Sequence, residues 1–410
     1  MKKIILVYFS ILLMIVAFRT STVAPSAISR LFFLSALFVP LFAKYNNLYL
    51  PCLVVFSTVT INSFAFGYLP YDMKSYAMIS LLELLIFIGL HRRISITFNY
   101  FCFFALLYVF IINIVTSASP QDISYSIIAV GIGTTVFTTD RRNGLNSMLN
   151  AFTVISLVLS LIYLSNYEAF LDSYDAGIER SGWTDPNYLS CIVGMGIMTS
   201  LIQLLKKERH RFLNVFLYAL TIILSLITQL FLASRGALLS VAVGMLILII
   251  LSEVKTSYKA LIFILIGVLL LVLYFNNYFD LLMYRVIEDS GGGSGRTEIW
   301  QMKLSEFNSN ASFLNLIFGM GHNSAIHLSP SGRAIGFHND FIAVLCSYGI
   351  FGFLLFIYML IFHPLLKTER SSRSVVLSLI LYLVVACTTI EPLSSGRLVY
   401  WAFYALILLF

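Results

Sequence analysis

Gly336-Phe337-His338-Asn339-Asp340-Phe341-Ile342-Ala343-Val344-Leu345-Cys346-Ser347-Tyr348-Gly349-Ile350-Phe351-Gly352 is the junction between the longest polar stretch of the chain and a new hydrophobic run. The run continues long enough to predict a membrane-crossing helix near 339–363, opened by a titratable side chain. At about 100° per residue, Gly349 and Gly352 return to within roughly 40° of the His338 face, so His338 is expected to head a face smooth enough for close helix packing.

Reading outward, runs of about 17 to 25 apolar residues recur throughout the chain. Candidate spans lie near 3–18, 28–43, 47–68, 75–90, 97–116, 123–138, 147–165, 187–205, 212–233, 237–252, 259–276, 339–363, 374–390 and 397–410. The predicted fold is all-α, a polytopic transmembrane helical bundle of about 12–14 spans, read as a single membrane domain over 1–410. Composition agrees: 59% of residues are hydrophobic, 11% are charged and the mean hydropathy is +0.91. The net charge of +7 is spread in short clusters between apolar runs, which reads as topology signal and not as a nucleic-acid surface. With a cytoplasmic N-terminus, the doublets Lys2-Lys3, Arg92-Arg93, Arg141-Arg142 and Lys206-Lys207 all fall inside. The first run reads as a membrane anchor; the alternative, a signal peptide, would have only a poor cleavage site at Thr22-Val23-Ala24. Cys52, Cys102, Cys191, Cys346 and Cys387 sit within or at the edge of spans, so neither disulfides nor a thiolate metal site is expected.

This topology gives the outer side a large loop, about 277–338, carrying short amphipathic helices. Its flexible run Ser290-Gly291-Gly292-Gly293-Ser294-Gly295 precedes a helix on which Trp300, Leu304 and Phe307 recur opposite Lys303 and Glu306. The segment reads either as a hinged lid or as a solvated connector. Arg180, Arg235, Arg296 and Arg397 face the same side as His338. Arginine offers a fixed fork of donors that matches phosphate oxygens, so a converging set suits a diphosphate on a lipid; snorkelling, or pairing with Glu179, Asp289 or Glu391, is the alternative. Arg397, followed by Trp401, repeats the pattern of Arg296 followed by Trp300.

His322, His327 and His338 with Asp340 match no compact zinc spacing, so no metal site is expected. A neutral imidazole that takes a proton from a sugar hydroxyl is the better role for His338.

In three places the chain resembles the O-antigen ligase and polymerase family of membrane glycosyltransferases: Ser234-Arg235-Gly236-Ala237-Leu238-Leu239, Gly295-Arg296 followed by Trp300, and His338-Asn339 with Gly349 and Gly352. Asp185-Pro186-Asn187-Tyr188 also looks like a segment common in these proteins. The resemblance implies a metal-independent, inverting enzyme without a cofactor, working on the outer face of the bacterial inner membrane. A polyprenyl-diphosphate-linked oligosaccharide would be its donor and a glycan its acceptor, with chain-length regulators and flippases as candidate partners. Residue by residue it implies His338 as general base and Arg235 and Arg296 as holders of the departing diphosphate. Arg180 is a further diphosphate candidate, and Asn339 and Asp340 would orient the imidazole or bind substrate unless they only cap a helix. Between polymerase and ligase the reading favours a polymerase of surface polysaccharide, because the loop lacks a long basic surface for a phosphorylated core. A flippase or transporter is the reading from another class, disfavoured because the spans are almost free of charge, Glu83 excepted.

Overall fold

The computed structural model describes residues 96–98, 100–116, 135–137, 141–165, 186–206, 212–280, 282–283, 296–322, 327–328, 334–394 and 398–410. The spans expected near 3–18, 28–43, 47–68 and 75–90 lie outside the described residues. What is described is an all-α bundle: α1 (Tyr100–Val115), α2 (Arg141–Ser165), α3 (Pro186–Leu205), α4 (Phe212–Leu232), α5 (Arg235–Leu251), α6 (Thr256–Phe275), α7 (Arg296–Asn310), α8 (Phe313–Phe318), α9 (Asp340–Ile357), α10 (His363–Lys367), α11 (Arg373–Thr389) and α12 (Leu398–Leu408). Among the described residues, six helical stretches are long and apolar enough to cross a membrane, including Pro186–Leu205, Asp340–Lys367 and Arg370–Thr389.

Two small antiparallel ribbons interrupt the helices. In one, β1 (Ile96–Phe98) pairs with β2 (Thr135–Phe137), Thr97 opposite Val136. This corrects the end of the span expected near 123–138, where Thr135-Val136-Phe137 prefers a pleated partner to another helical turn. In the other, β3 (His327–Leu328) pairs with β4 (Ala334–Ile335) within the large loop.

The core forms around α3, whose apolar window is 89% buried, whereas that of α6 is 6% buried and presents Phe263, Ile264, Leu265 and Leu271 outward. Small residues explain the central position of α3. A Cβ at Gly194 would lie 2.7 Å from Val241 on α5 and 2.9 Å from Gln229 on α4, and one at Gly196 would lie 1.9 Å from Ser156 on α2. Apolar burial drives little association in lipid, so close packing and hydrogen bonds between helices take over. Thr153 meets Thr199 at 3.1 Å, Ser156 meets Ser225 at 2.8 Å, and Gln229 donates to the Ser190 carbonyl at 2.9 Å.

Gly349 does not form the smooth face expected of it. Its φ of +66° and ψ of −173° break α9, so the helical phase counted from His338 does not carry through to Gly352. The break admits the end of α8: Met320 and Gly321 donate from their backbone nitrogens to the carbonyls of Cys346 and Ser347 at 3.2 and 2.9 Å. A Cβ on Gly349 would stand 2.3 Å from the Ile317 carbonyl oxygen, so backbone meets backbone where the loop docks on the span.

Candidate active site

The last carbonyls of a helix have no partner within it, and at the end of α11 other elements supply the donors. Asn339 Nδ2 donates to the Thr388 carbonyl at 3.3 Å, and Arg296 Nη1 to the Thr389 carbonyl at 2.6 Å. The second is a cation placed where the helix dipole is negative. Gly236 packs on the same residue: a Cβ there would lie 2.4 Å from Thr389. Arg235, which opens α5, is therefore anchored beside it, and Ser234 ties this start to α3 by donating to Asn187 Oδ1 at 2.9 Å. Three segments distant in sequence, carrying Arg235, Arg296 and His338, thus meet at one end of α11.

His338 occupies a left-handed turn, φ +51°, outside the helix proper. Asn339 is the N-cap of α9, its side-chain oxygen accepting from the backbone nitrogens of Phe341 and Ile342 at 2.9 and 3.2 Å. The turn is gripped from α7, where Trp300 Nε1 donates to the Phe337 carbonyl at 2.7 Å and Lys303 Nζ lies 4.4 Å from the centre of the Phe337 ring. From the other side the Glu391 carboxylate accepts hydrogen bonds from the backbone of Phe337 and His338. Gly336 makes this approach possible, since a Cβ there would be 2.6 Å from Glu391 Oε2.

Burial, reinforced by the charge of Asp340, pushes the Glu391 carboxyl up to about 7, against the pull of the two backbone amides and Lys303. Burial also lowers Lys303 from the usual lysine range, opposed by Glu391 and Glu306. Lys303 is only 3% exposed, so the expected faces of α7 need correcting: Lys303 lies inward with Phe307, while Leu304 and Met302 are exposed. The inward face follows the Phe337 ring and Glu391, both supplied by other segments, and not hydropathy alone.

Arg180 and Arg397 lie outside the described residues, as does Gly295. Asn339 and Asp340 are engaged within the protein. Asn339 caps α9 and α11 as described, while Asp340 is fully buried and accepts from the backbone nitrogens of Leu393 and Ser394 at 3.0 and 2.7 Å. Both support the turn after α11. Sequence reasoning missed Glu391, Trp300 and Lys303 as parts of the site. Trp300 carried a signal, the Gly-Arg pattern it shares with Trp401, whose indole also donates to a backbone carbonyl, that of Leu393, at 3.1 Å.

No curated protein matches the chain. Residues 220–357, a segment that contains Arg235, Arg296 and His338, match the family model described as O-antigen ligase. Over that segment the chain is similar to the O-antigen ligase family, a match that supports the O-antigen polymerase and ligase family of membrane proteins.

Proposed function

We propose that this protein polymerises a surface polysaccharide, transferring a polyprenyl-diphosphate-linked glycan onto a hydroxyl of another lipid-linked repeat unit at the outer face of the bacterial inner membrane. The supporting observation is the convergence of the Arg235 segment, Arg296 and the His338 turn on the end of α11, the first two at Thr389 and the turn at Thr388 through Asn339. His338 acts as general base: it takes the proton from the acceptor hydroxyl as that oxygen attacks the anomeric carbon. The bond from that carbon to the diphosphate oxygen breaks, and the electron pair leaves with the polyprenyl diphosphate. Arg235 and Arg296 hold the diphosphate and stabilise its developing charge, with Arg180 as a further contact. Such a leaving group needs no protonation, and direct displacement inverts the anomeric centre.

The same family match is equally compatible with a second reading, ligation of the finished glycan to a terminal acceptor such as a lipopolysaccharide core. Both share the donor chemistry and differ in the acceptor. Complementation of a strain lacking the gene, with surface glycans resolved by length, separates them. In a polymerase, Arg235→Ala, Arg296→Ala and His338→Ala remove the ladder and leave a single attached repeat. In a ligase they accumulate long lipid-linked chains that never reach the core. Unchanged glycans in all three well-expressed variants would remove the proposed site and return transport to the front.

A further inference from the structure

Glu391 contributes none of the steps above, yet its carboxylate is bonded to the backbone of the residue on which the reaction turns. A histidine at φ +51° stays in that region only where its surroundings hold it. The side chains around it explain part of that hold. Asn339 fixes the start of α9 behind the histidine, and Trp300 fixes the carbonyl of Phe337 in front of it. The amides of Phe337 and His338 then both point to one carboxylate, a concave pair of N–H donors of the kind that binds anions. The bare Cα of Gly336 lets that carboxylate come close enough to receive them.

We propose that Glu391 is a positioning residue for His338, holding it in its left-handed conformation through the two backbone amides without touching substrate. The inference rests on the reading of His338 as general base. A carboxylate offers each amide its own oxygen. Glutamine would offer one oxygen and turn an N–H₂ group toward the second donor. Protonation of Glu391 weakens the hold in the same way, so the histidine is best placed when the carboxyl is ionised. The charged groups around Glu391 set when that happens. Lys303 faces it from α7 and favours the anion, Asp340 faces it from α9 and opposes it, and Arg296 reaches the Thr389 carbonyl two residues earlier in the chain.

The test uses membranes from the producing strain carrying the full chain at matched abundance. Polyprenyl diphosphate release from the lipid-linked glycans in those membranes is followed across about pH 5 to 9. Glu391→Gln is expected to lower the rate about 10- to 100-fold with little change in half-saturation, and Glu391→Asp to recover more than Glu391→Gln does. The wild type should lose activity toward acid more steeply than Glu391→Gln, because it alone has the Glu391 carboxyl to protonate. A Glu391→Gln protein matching the wild type in rate and slope overturns the proposal. So does a Glu391→Asp protein that, at matched abundance, recovers nothing relative to Glu391→Gln. Full activity in His338→Ala instead overturns the general-base reading, whatever Glu391 does; loss in His338→Ala without loss in Glu391→Gln overturns only the positioning role.

Discussion

Arg296 donates through Nη1 to the carbonyl of Thr389 at 2.6 Å, joining the first residue of α7 to the last of α11. In the proposed mechanism the same guanidinium binds diphosphate, so one side chain that links the loop to the bundle would also link the bundle to the substrate. If α7 moves as a lid, this contact is where its position is registered.

Arg296→Ala should therefore lose two things at once. A charge-assisted hydrogen bond to a helix end contributes about 1.5–3 kcal/mol, and its removal should lower the thermal midpoint of the detergent-purified protein. Arg296→Lys keeps a cation for Thr389 but not the fork, so stability should largely return while glycan transfer stays at least about tenfold down. Wild-type transfer by Arg296→Lys would show that the fork has no part in diphosphate recognition.

Two glycines separate space from conformation. Gly349→Ala puts a Cβ 2.3 Å from the Ile317 carbonyl oxygen at φ +66°, and should cost more than about 2 kcal/mol while detaching the end of α8. Gly267→Ala on α6 meets nothing within 4 Å and should be neutral, or stabilising by up to about 1 kcal/mol. Thermal unfolding of the two variants side by side checks both, and equal midpoints would contradict the close backbone docking.

What the sequence could show follows from how far its signals reach. Apolar runs report on their own segment, so the helices from Tyr100 to Leu408 appear close to where hydropathy puts them. The His338 junction is a local change of polarity and stands out for the same reason. Gly349 was legible as a close-approach site but not as a break, because periodicity assumes the helix continues. Glu391 could not be recognised: it lies 53 residues after His338, and only the packing of α11 against its neighbours brings its carboxylate to that turn. Lys303 misled for a related reason, since a lysine on an amphipathic helix points to water unless another segment supplies an aromatic ring and an acid.

The raised carboxyl of Glu391 carries a stability consequence with a definite sign. In the fold it titrates at about 7, above its ordinary value of 4.5, so the folded state prefers the protonated form. That contribution is fully present below about pH 4.5 and is lost as pH rises through 7. Glu391→Gln, permanently neutral, should therefore gain on the wild type between about pH 5 and 8, by on the order of 1–3 kcal/mol at the upper end. A difference in midpoint that does not change over this range would place the ordinary carboxylate value on Glu391.

The left-handed turn at His338 makes stability and activity separable at a single position. A non-glycine residue in this conformation carries a cost of about 1–2 kcal/mol, which histidine and asparagine bear more easily than branched residues do. His338→Gly should release that cost and raise the thermal midpoint while abolishing transfer, because the proposed proton acceptor is gone. His338→Asn should be near neutral in stability and equally inactive, and His338→Val should be both destabilised and inactive. Three inactive proteins ordered Gly, Asn, Val in stability would mean that the fold bears strain here to place an imidazole. If His338→Gly is instead the least stable, the turn is held by contacts of the imidazole itself, and the backbone grip of Glu391 and Trp300 is the smaller part of what keeps it there.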